Sequence, residues 1–292
     1  MIWPREDPMT AAIKADLSGK TCLVTGASAG IGKAAARGLA RLGARLVLAC
    51  RSPEKGEAAR GEIAAATGNR DLEVLRVDLS SRRSIRDAAA AFREGHPSLH
   101  VLVNNAGVWL ERRQESAEGV EMTWATNVLG YFLLTELLRP ALDAAPASRV
   151  VNVASQLAGD LDLSDVQFTR RPYAGRVAYA QSKQADRMLT WALARRLGGT
   201  KVTANAMHPG FVNSELFAKA GGLMGVAASA WAKLQARPPE EGADTVVWLA
   251  AAPEVQGQSG VFWIGRQEHR CRFRDPRAEE ALWSLCAEMT SG

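Results

Sequence analysis

The chain has 292 residues, of which 47% are hydrophobic and 23% charged, with a formal net charge of +5. That is ordinary for a soluble globular protein and long enough to bury one large α/β core or two smaller ones. No apolar stretch approaches the ~18–20 residues of a membrane span. The basic excess is spread over separated pairs such as Arg82-Arg83, Arg112-Arg113 and Arg195-Arg196, not gathered into the aromatic-flanked stripe of a nucleic-acid binder. Residues 1–18 read as an N-terminal extension whose first part lacks the apolar core of a secretory signal. The four cysteines (Cys22, Cys50, Cys271, Cys286) have no C-x-x-C spacing. They are expected as reduced thiols without a metal, and the protein as cytoplasmic.

Read in chain order, short apolar runs alternate with helical stretches. Strands are predicted at 22–25, 46–50, 74–77, 101–104, 150–154, 202–207 and 261–264, and helices at 34–42, 54–66, 84–94, 121–142, 178–197 and 239–251. Alternation of this kind predicts one doubly wound α/β domain of Rossmann type, with about seven parallel strands and helices on both faces. No linker, repeat or charge block marks a second domain. Residues 211–237 read as a mobile apolar lid or as an ordinary helical pair packed on the sheet, and 266–292 as a C-terminal tail.

The first strand-to-helix junction is Thr25-Gly26-Ala27-Ser28-Ala29-Gly30-Ile31-Gly32. Glycines there let backbone N–H groups approach a phosphate, and the helix N-terminus adds positive potential. Arg51 and Ser52 follow the second strand. An acidic residue at that place would select a ribose hydroxyl, whereas Arg51 suits a 2′-phosphate, so NADP(H) is expected over NAD(H). Asp78-Leu79 follows the third strand, where the carboxylate serves either an adenine amino group or the next helix as N-cap. Asn104-Asn105-Ala106-Gly107 follows the fourth and leaves room for an adenosine. Tyr179 and Lys183 stand four apart on one helix face, where an ammonium favours the phenolate of a tyrosine meant for acid–base work. Ser155 follows the fifth strand and Asn127 lies in the helix before it. Taken singly, each of these has a plainer reading as surface packing, a cap or a backbone hydrogen bond.

The order of these motifs, closed by His208-Pro209-Gly210, resembles the short-chain dehydrogenase/reductase family over most of the chain. The resemblance implies Tyr179 as proton donor, Ser155 as orienter of a substrate carbonyl, and Lys183 as tuner of the phenol and ligand of the ribose. It gives Asn127 a relay water. It places Gly26, Ser28, Ala29, Gly30, Ile31, Gly32, Arg51, Ser52, Asp78, Leu79, Asn105, Ala106 and Gly107 along the cofactor, with Pro209, Gly210, Val212 and Ser214 at its nicotinamide end. The long Ser155–Tyr179 interval, the His-Pro-Gly triplet and the tail around Leu282-Trp283-Ser284 look like the retinol dehydrogenase and protochlorophyllide reductase branch. Tyr173, inside that interval, has no lysine four residues on and reads as a decoy.

The function so implied is NADP(H)-dependent interconversion of a carbonyl and an alcohol, with a hydrophobic aldehyde, ketone or secondary alcohol as small-molecule partner. The alternatives are a conjugated C=C reductase of the same family and a non-catalytic NADP-binding sensor or scaffold. Relatives often form dimers or tetramers, which leaves a homodimer or homotetramer open.

Overall fold

The computed structural model describes residues 13–210, 212 and 237–291. Its sheet has the order β3-β2-β1-β4-β5-β6-β7-β8. The strands are β1 (Thr21–Thr25), β2 (Arg45–Cys50), β3 (Leu72–Arg76), β4 (Val101–Asn104), β5 (Ser148–Val153), β6 (Val202–His208), β7 (Phe262–Ile264) and β8 (Gln267–Glu268). All neighbours through β7 pair in parallel, and β8 adds an antiparallel edge. Eight strands therefore stand among the described residues where about seven were expected. The extra one is a two-residue hairpin arm, Gln267–Glu268, exposed and polar, with no apolar run to announce it.

The inner strands are buried on both faces, successive residues pointing into opposite core layers. Cys22 and Val24 join Leu46 and Leu48 in one core layer, while Leu23 joins Val47 and Ala49 in the other. The helices α1 (Gly30–Arg41), α2 (Pro53–Thr67) and α7 (Pro239–Ala251) contribute residues to the first layer. The second takes in α3 (Arg82–Gly95), α5 (Gly130–Ala144) and the end of α6 (Gly175–Arg196). The predicted helix at 121–142 is interrupted. A short turn, α4 (Met122–Trp124), runs through a π-helical turn at Ala125–Leu129 into α5. Gly130 at that joint admits no side chain, since a Cβ there would lie 2.8 Å from both Leu79 Cβ and the Leu79 carbonyl oxygen.

The C-terminal tail is a further helix, α8 (Pro276–Thr290), started by Pro276 and by the Asp275 carboxylate, which accepts from the Arg277 and Ala278 amides. It packs over α6. Glu279 pairs with Arg195, Trp283 meets Phe132 edge-on at 4.8 Å, and Leu282 and Cys286 are fully buried. Its C-terminal carbonyls are taken by α3, through Arg82 to Met289 and Arg86 to Thr290. Replacing Leu282 with Ala should therefore cost about 2–5 kcal/mol in urea denaturation. A loss below about 1 kcal/mol would mean that α8 is an appendage.

Candidate active site

Parallel register brings the strand ends to one edge, and β1 and β4 are tied there by one residue. Thr25 Oγ1 donates to the Val103 carbonyl at 3.3 Å and accepts from the Asn105 and Ala106 amides at 2.8 and 3.1 Å, while Asn105 Nδ2 donates to the Thr25 carbonyl at 2.9 Å. Against this joint, a Cβ on Gly32 would lie 2.3 Å from the Gly26 oxygen and 2.4 Å from Asn105 Nδ2; one on Gly26 would lie 2.9 Å from Ala106 Cα. Gly26 and Gly30 also take φ of +68° and +53°. The α1 N-terminus, at Ala29, has no side-chain cap, so its amides face the turn unspent. Steric closeness and uncapped amides are what a pyrophosphate requires.

Other residues of the expected cofactor track divide. Ser28 hydrogen-bonds the Cys50 thiol, joining the ends of β1 and β2. Arg51 is exposed at the end of β2 and pairs with no carboxylate among the described residues. The Ser52 hydroxyl is spent on starting α2, accepting from Lys55 N at 3.3 Å and donating to Glu54 at 2.7 Å. Asp78 does not cap α3; Ser81 does, and Asp78 instead accepts from the Ser80 amide and hydroxyl. The Leu79 side chain belongs to the core, which leaves only its backbone for a ligand. Pro209, Val212 and Ile31 converge on Gly242, where a Cβ would lie 2.5 Å from Val212 Cγ2 and 3.3–3.4 Å from the other two. Gly210, at φ +83°, turns the chain there. Ser214 and nearly all of the 211–237 segment lie outside the described residues.

The expected acid–base residues do come together. Tyr179 and Lys183 are both buried on α6, and Ser155 is buried at the end of β5 with its hydroxyl bonded to the Tyr179 phenol. Trp109, just beyond β4, stacks on Tyr179 with ring centroids 4.8 Å apart. The Lys183 ammonium donates to the Val153 carbonyl at 3.0 Å and to Asp186 Oδ2 at 2.8 Å, and lies 5.9 Å from the Tyr179 ring centroid. Burial would drive this ammonium down, but the Asp186 carboxylate, with Tyr131 and Tyr179, turns that into a net rise. Burial pushes Asp186 itself up to about 6 against the pull of Lys183. For Tyr179 too burial is the largest influence and raises the phenol above its ordinary value, with Lys183 and Ser155 opposing. The ammonium therefore does not prevail in this state of the pocket.

Asn127 sits in the π-helical turn and its amide is used within the protein. Oδ1 accepts from Val108 N at 2.8 Å, and Nδ2 donates to the Val108 carbonyl and Ser182 Oγ, both at 3.1 Å. Gly107 lies beside it, a Cβ there being 3.4 Å from Asn127 Oδ1. The side chain thus braces the loop after β4 against α6, with one lone pair left over. Such π turns often mark functional sites.

The long interval before Tyr179 is built, not slack. The Asp165 carboxylate accepts from the amides of Thr169, Arg170 and Arg171; Gln181 Nε2 on α6 donates to the Val166 carbonyl at 2.8 Å. The Tyr173 hydroxyl faces the Leu110 carbonyl at 3.1 Å and Glu121 at 3.3 Å. Glu121 in turn starts α4 by accepting from the Thr123 and Trp124 amides. Sequence reasoning missed Trp109, Asp186, Tyr131 and Arg187, whose guanidinium donates to the Ser155 carbonyl. Only Asp186 carried a readable signal, being three residues after Lys183 on the same helix face.

Residues 20–222 match the family of short chain dehydrogenases. The chain belongs to that family. It is 38% identical to human retinol dehydrogenase 13 over 94% of this chain and 86% of that one. It is 41% identical to mouse polyprenol dehydrogenase over 93% and 84%. Among solved structures it resembles a protein of Mycobacterium paratuberculosis at TM-score 0.77 and 31% identity, each covered over 95%. It also resembles a dehydrogenase/reductase of Sinorhizobium meliloti 1021 at TM-score 0.67 and 30% identity, over 85% and 93%. This short-chain dehydrogenase is thus of the retinol dehydrogenase-like branch, and no helix among its described residues is long and apolar enough to cross a membrane.

In this dehydrogenase the Asp165 anchor gives a direct test of the interval. The folded carboxyl is held down at about 2: burial acts to raise it, and the Thr169, Arg170 and Arg171 hydrogen bonds prevail. A depressed folded pKa stabilises fully above the unfolded value of about 3.9 and is lost as pH falls through the folded one. Asp165→Ala should lower the melting temperature at neutral pH and open the 159–174 segment to limited proteolysis, with the melting difference shrinking as pH falls from about 4 to about 2. A difference independent of pH would contradict the anchor.

Proposed function

We propose that the protein is an NADP(H)-dependent oxidoreductase that interconverts an apolar carbonyl compound and its alcohol, with Tyr179 as the acid–base group. The observation that carries this is the burial of Tyr179, Ser155 and Lys183 together on the sheet edge that also carries the Gly26–Gly32 turn. The glycine turn, the uncapped α1 amides and Arg51 fit an anionic dinucleotide: amides for the pyrophosphate, the guanidinium fork for a 2′-phosphate. When bound, the nicotinamide supplies or accepts the hydride. Tyr179 gives its phenolic proton to the carbonyl oxygen as the alcohol forms, and takes the hydroxyl proton in the reverse direction. Ser155 hydrogen-bonds that same oxygen and holds it in line with the phenol. Lys183, fixed at Val153 and Asp186, stabilises the phenolate that remains. Asn127 keeps the loop after β4 seated against α6, and its remaining lone pair is the place on its side chain for a relay water.

Trp109 and the neighbouring Val108 and Leu110, all partly buried, give the approach an apolar wall. Retinol and polyprenol, named in two of the relatives, are both long apolar alcohols, which fits such a wall. Tyr179→Phe should abolish most turnover of a long-chain aldehyde while leaving NADPH binding nearly intact. Tyr173→Phe, which loses the hydroxyl contacts to Leu110, Glu121 and Thr123, should leave turnover largely intact. The reverse pattern would reassign the acid.

Arg51 supports the choice of phosphate-bearing cofactor. Arg51→Asp should reduce the ratio of NADPH to NADH affinity about ten- to a hundredfold, the equivalent of roughly 1.5–3 kcal/mol for a charge-assisted fork. Equal affinity of the unaltered protein for the two cofactors would overturn the preference.

A further inference from the structure

The helix that carries Tyr179 and Lys183 carries a third ionisable group that the proposed reaction leaves unused. Asp186 follows Lys183 by three residues, is 2% exposed, and receives the Lys183 ammonium at 2.8 Å on Oδ2. A second ammonium proton goes to the Val153 carbonyl at 3.0 Å, so the cation is gripped between β5 and its own helix. The Tyr131 and Tyr179 rings lie 5.2 and 5.9 Å away. Asp186 Oδ1 has no hydrogen-bond partner among the described residues, and the Tyr131 hydroxyl has only the Lys183 ammonium within its reach. Both residues line a cavity of about 20 Å³, shared with Glu136 and Trp283, between α5, α6 and α8. That is room for a water, which needs polar partners of just this kind and would keep the carboxylate hydrated and charged.

A buried ion pair is weak evidence for stability, because taking both charges out of water offsets most of their attraction. Its place behind the candidate acid gives it another use. Resting on the reading of Tyr179 and Lys183 as an acid–base pair, we propose that Asp186 is a positioning residue that holds the Lys183 ammonium at the crevice and partly offsets its charge, weakening its hold on the Tyr179 phenolate.

The electrostatics are local. An ammonium beside a phenol favours phenolate, and a carboxylate on the far side of that ammonium opposes it. Asp186 acts in both senses, supporting the Lys183 cation and disfavouring the Tyr179 anion. The other ionisable groups around them are Arg187 on α6, Tyr131 and Glu136 on α5 and Cys286 on α8. Burial keeps Tyr131 and Cys286 neutral far above physiological pH and raises Glu136. Arg187 remains a cation, engaged with the Ser155 carbonyl and stacked 3.8 Å from the Phe262 ring centroid. Removing the Asp186 charge therefore leaves the Lys183 ammonium uncompensated beside Tyr179, and the phenolate gains.

The test is a phenolate titration by ultraviolet absorbance, which needs no substrate. The chain has three tyrosines. Tyr131 is held far above its ordinary range by burial, and Tyr173 is raised to about 12, again chiefly by burial. The step lost in Tyr179→Phe identifies the one that belongs to Tyr179. Asp186→Asn should move that step, and with it the onset of alcohol oxidation in the pH profile of kcat/KM, downward by about one pH unit. Asp186→Ser, which leaves space for a water at the ammonium, should do the same and serves if the Asn variant does not fold. A Tyr179 step at the unaltered pH, or at a higher one, overturns the proposal. Full turnover by Tyr179→Phe would defeat the acid–base reading beneath it, whereas an inactive Tyr179→Phe with an unshifted Asp186→Asn defeats this inference alone.

Discussion

The site depends on a lack of room between the ends of β1 and β4. Gly26 and Gly32 have no space for a methyl group, because the Asn105 amide and the Ala106 backbone already occupy it. Thr25 is the reason these atoms are so close: its one hydroxyl serves a carbonyl and two amides of the neighbouring strand's end. The closeness brings the uncapped α1 N-terminus against the mouth of the crevice, so a phosphate group meets backbone amides and the positive helix end at once. Parallel register then decides which residues can share the ligand, since all the strands of that region end on the same side.

A second dependence runs along α6. Tyr179, Lys183, Asp186 and Arg187 follow one another at helical spacing and are all buried. Each polar head is anchored to an element other than α6 or to its neighbour on it: Lys183 to β5, Arg187 to the Ser155 carbonyl, Asp186 to Lys183. The helix is clamped from outside by α8 and from the front by the loop that Asp165 organises. Such supports confine the phenol to one position, and a site 1 Å too loose loses most of its rate.

Much of this was legible from residues alone. The strand ends, the glycine turn and the Tyr179–Lys183 spacing are local patterns with local causes, and the structure assembles them along one edge of the sheet. What was not legible depends on tertiary neighbours. The C-terminal helix has a mixed surface pattern whose meaning lies in Arg195, Phe132 and Arg86 of distant elements. The π turn at Ala125–Leu129 reads as continuous helix until Gly130 has to clear Leu79. Asp78 offered two roles, and neither sequence nor spacing showed that Ser81 would supply the cap. Trp109 carried no signal, because its value lies in a ring stacked on a tyrosine 70 positions away in the chain.

The central claim is that this edge of the sheet is a working carbonyl–alcohol site for an apolar substrate, and not merely a nucleotide cradle. It is tested most directly by mixing the unaltered protein with NADPH and a series of aliphatic aldehydes and following NADPH loss and alcohol formation together. The account predicts one alcohol per NADPH consumed, with kcat/KM rising along the series as each buried methylene adds up to about 0.8 kcal/mol until the pocket is full. Tight NADPH binding with no consumption across carbonyl compounds and conjugated enones would contradict it, and would make the protein a sensor of the cofactor.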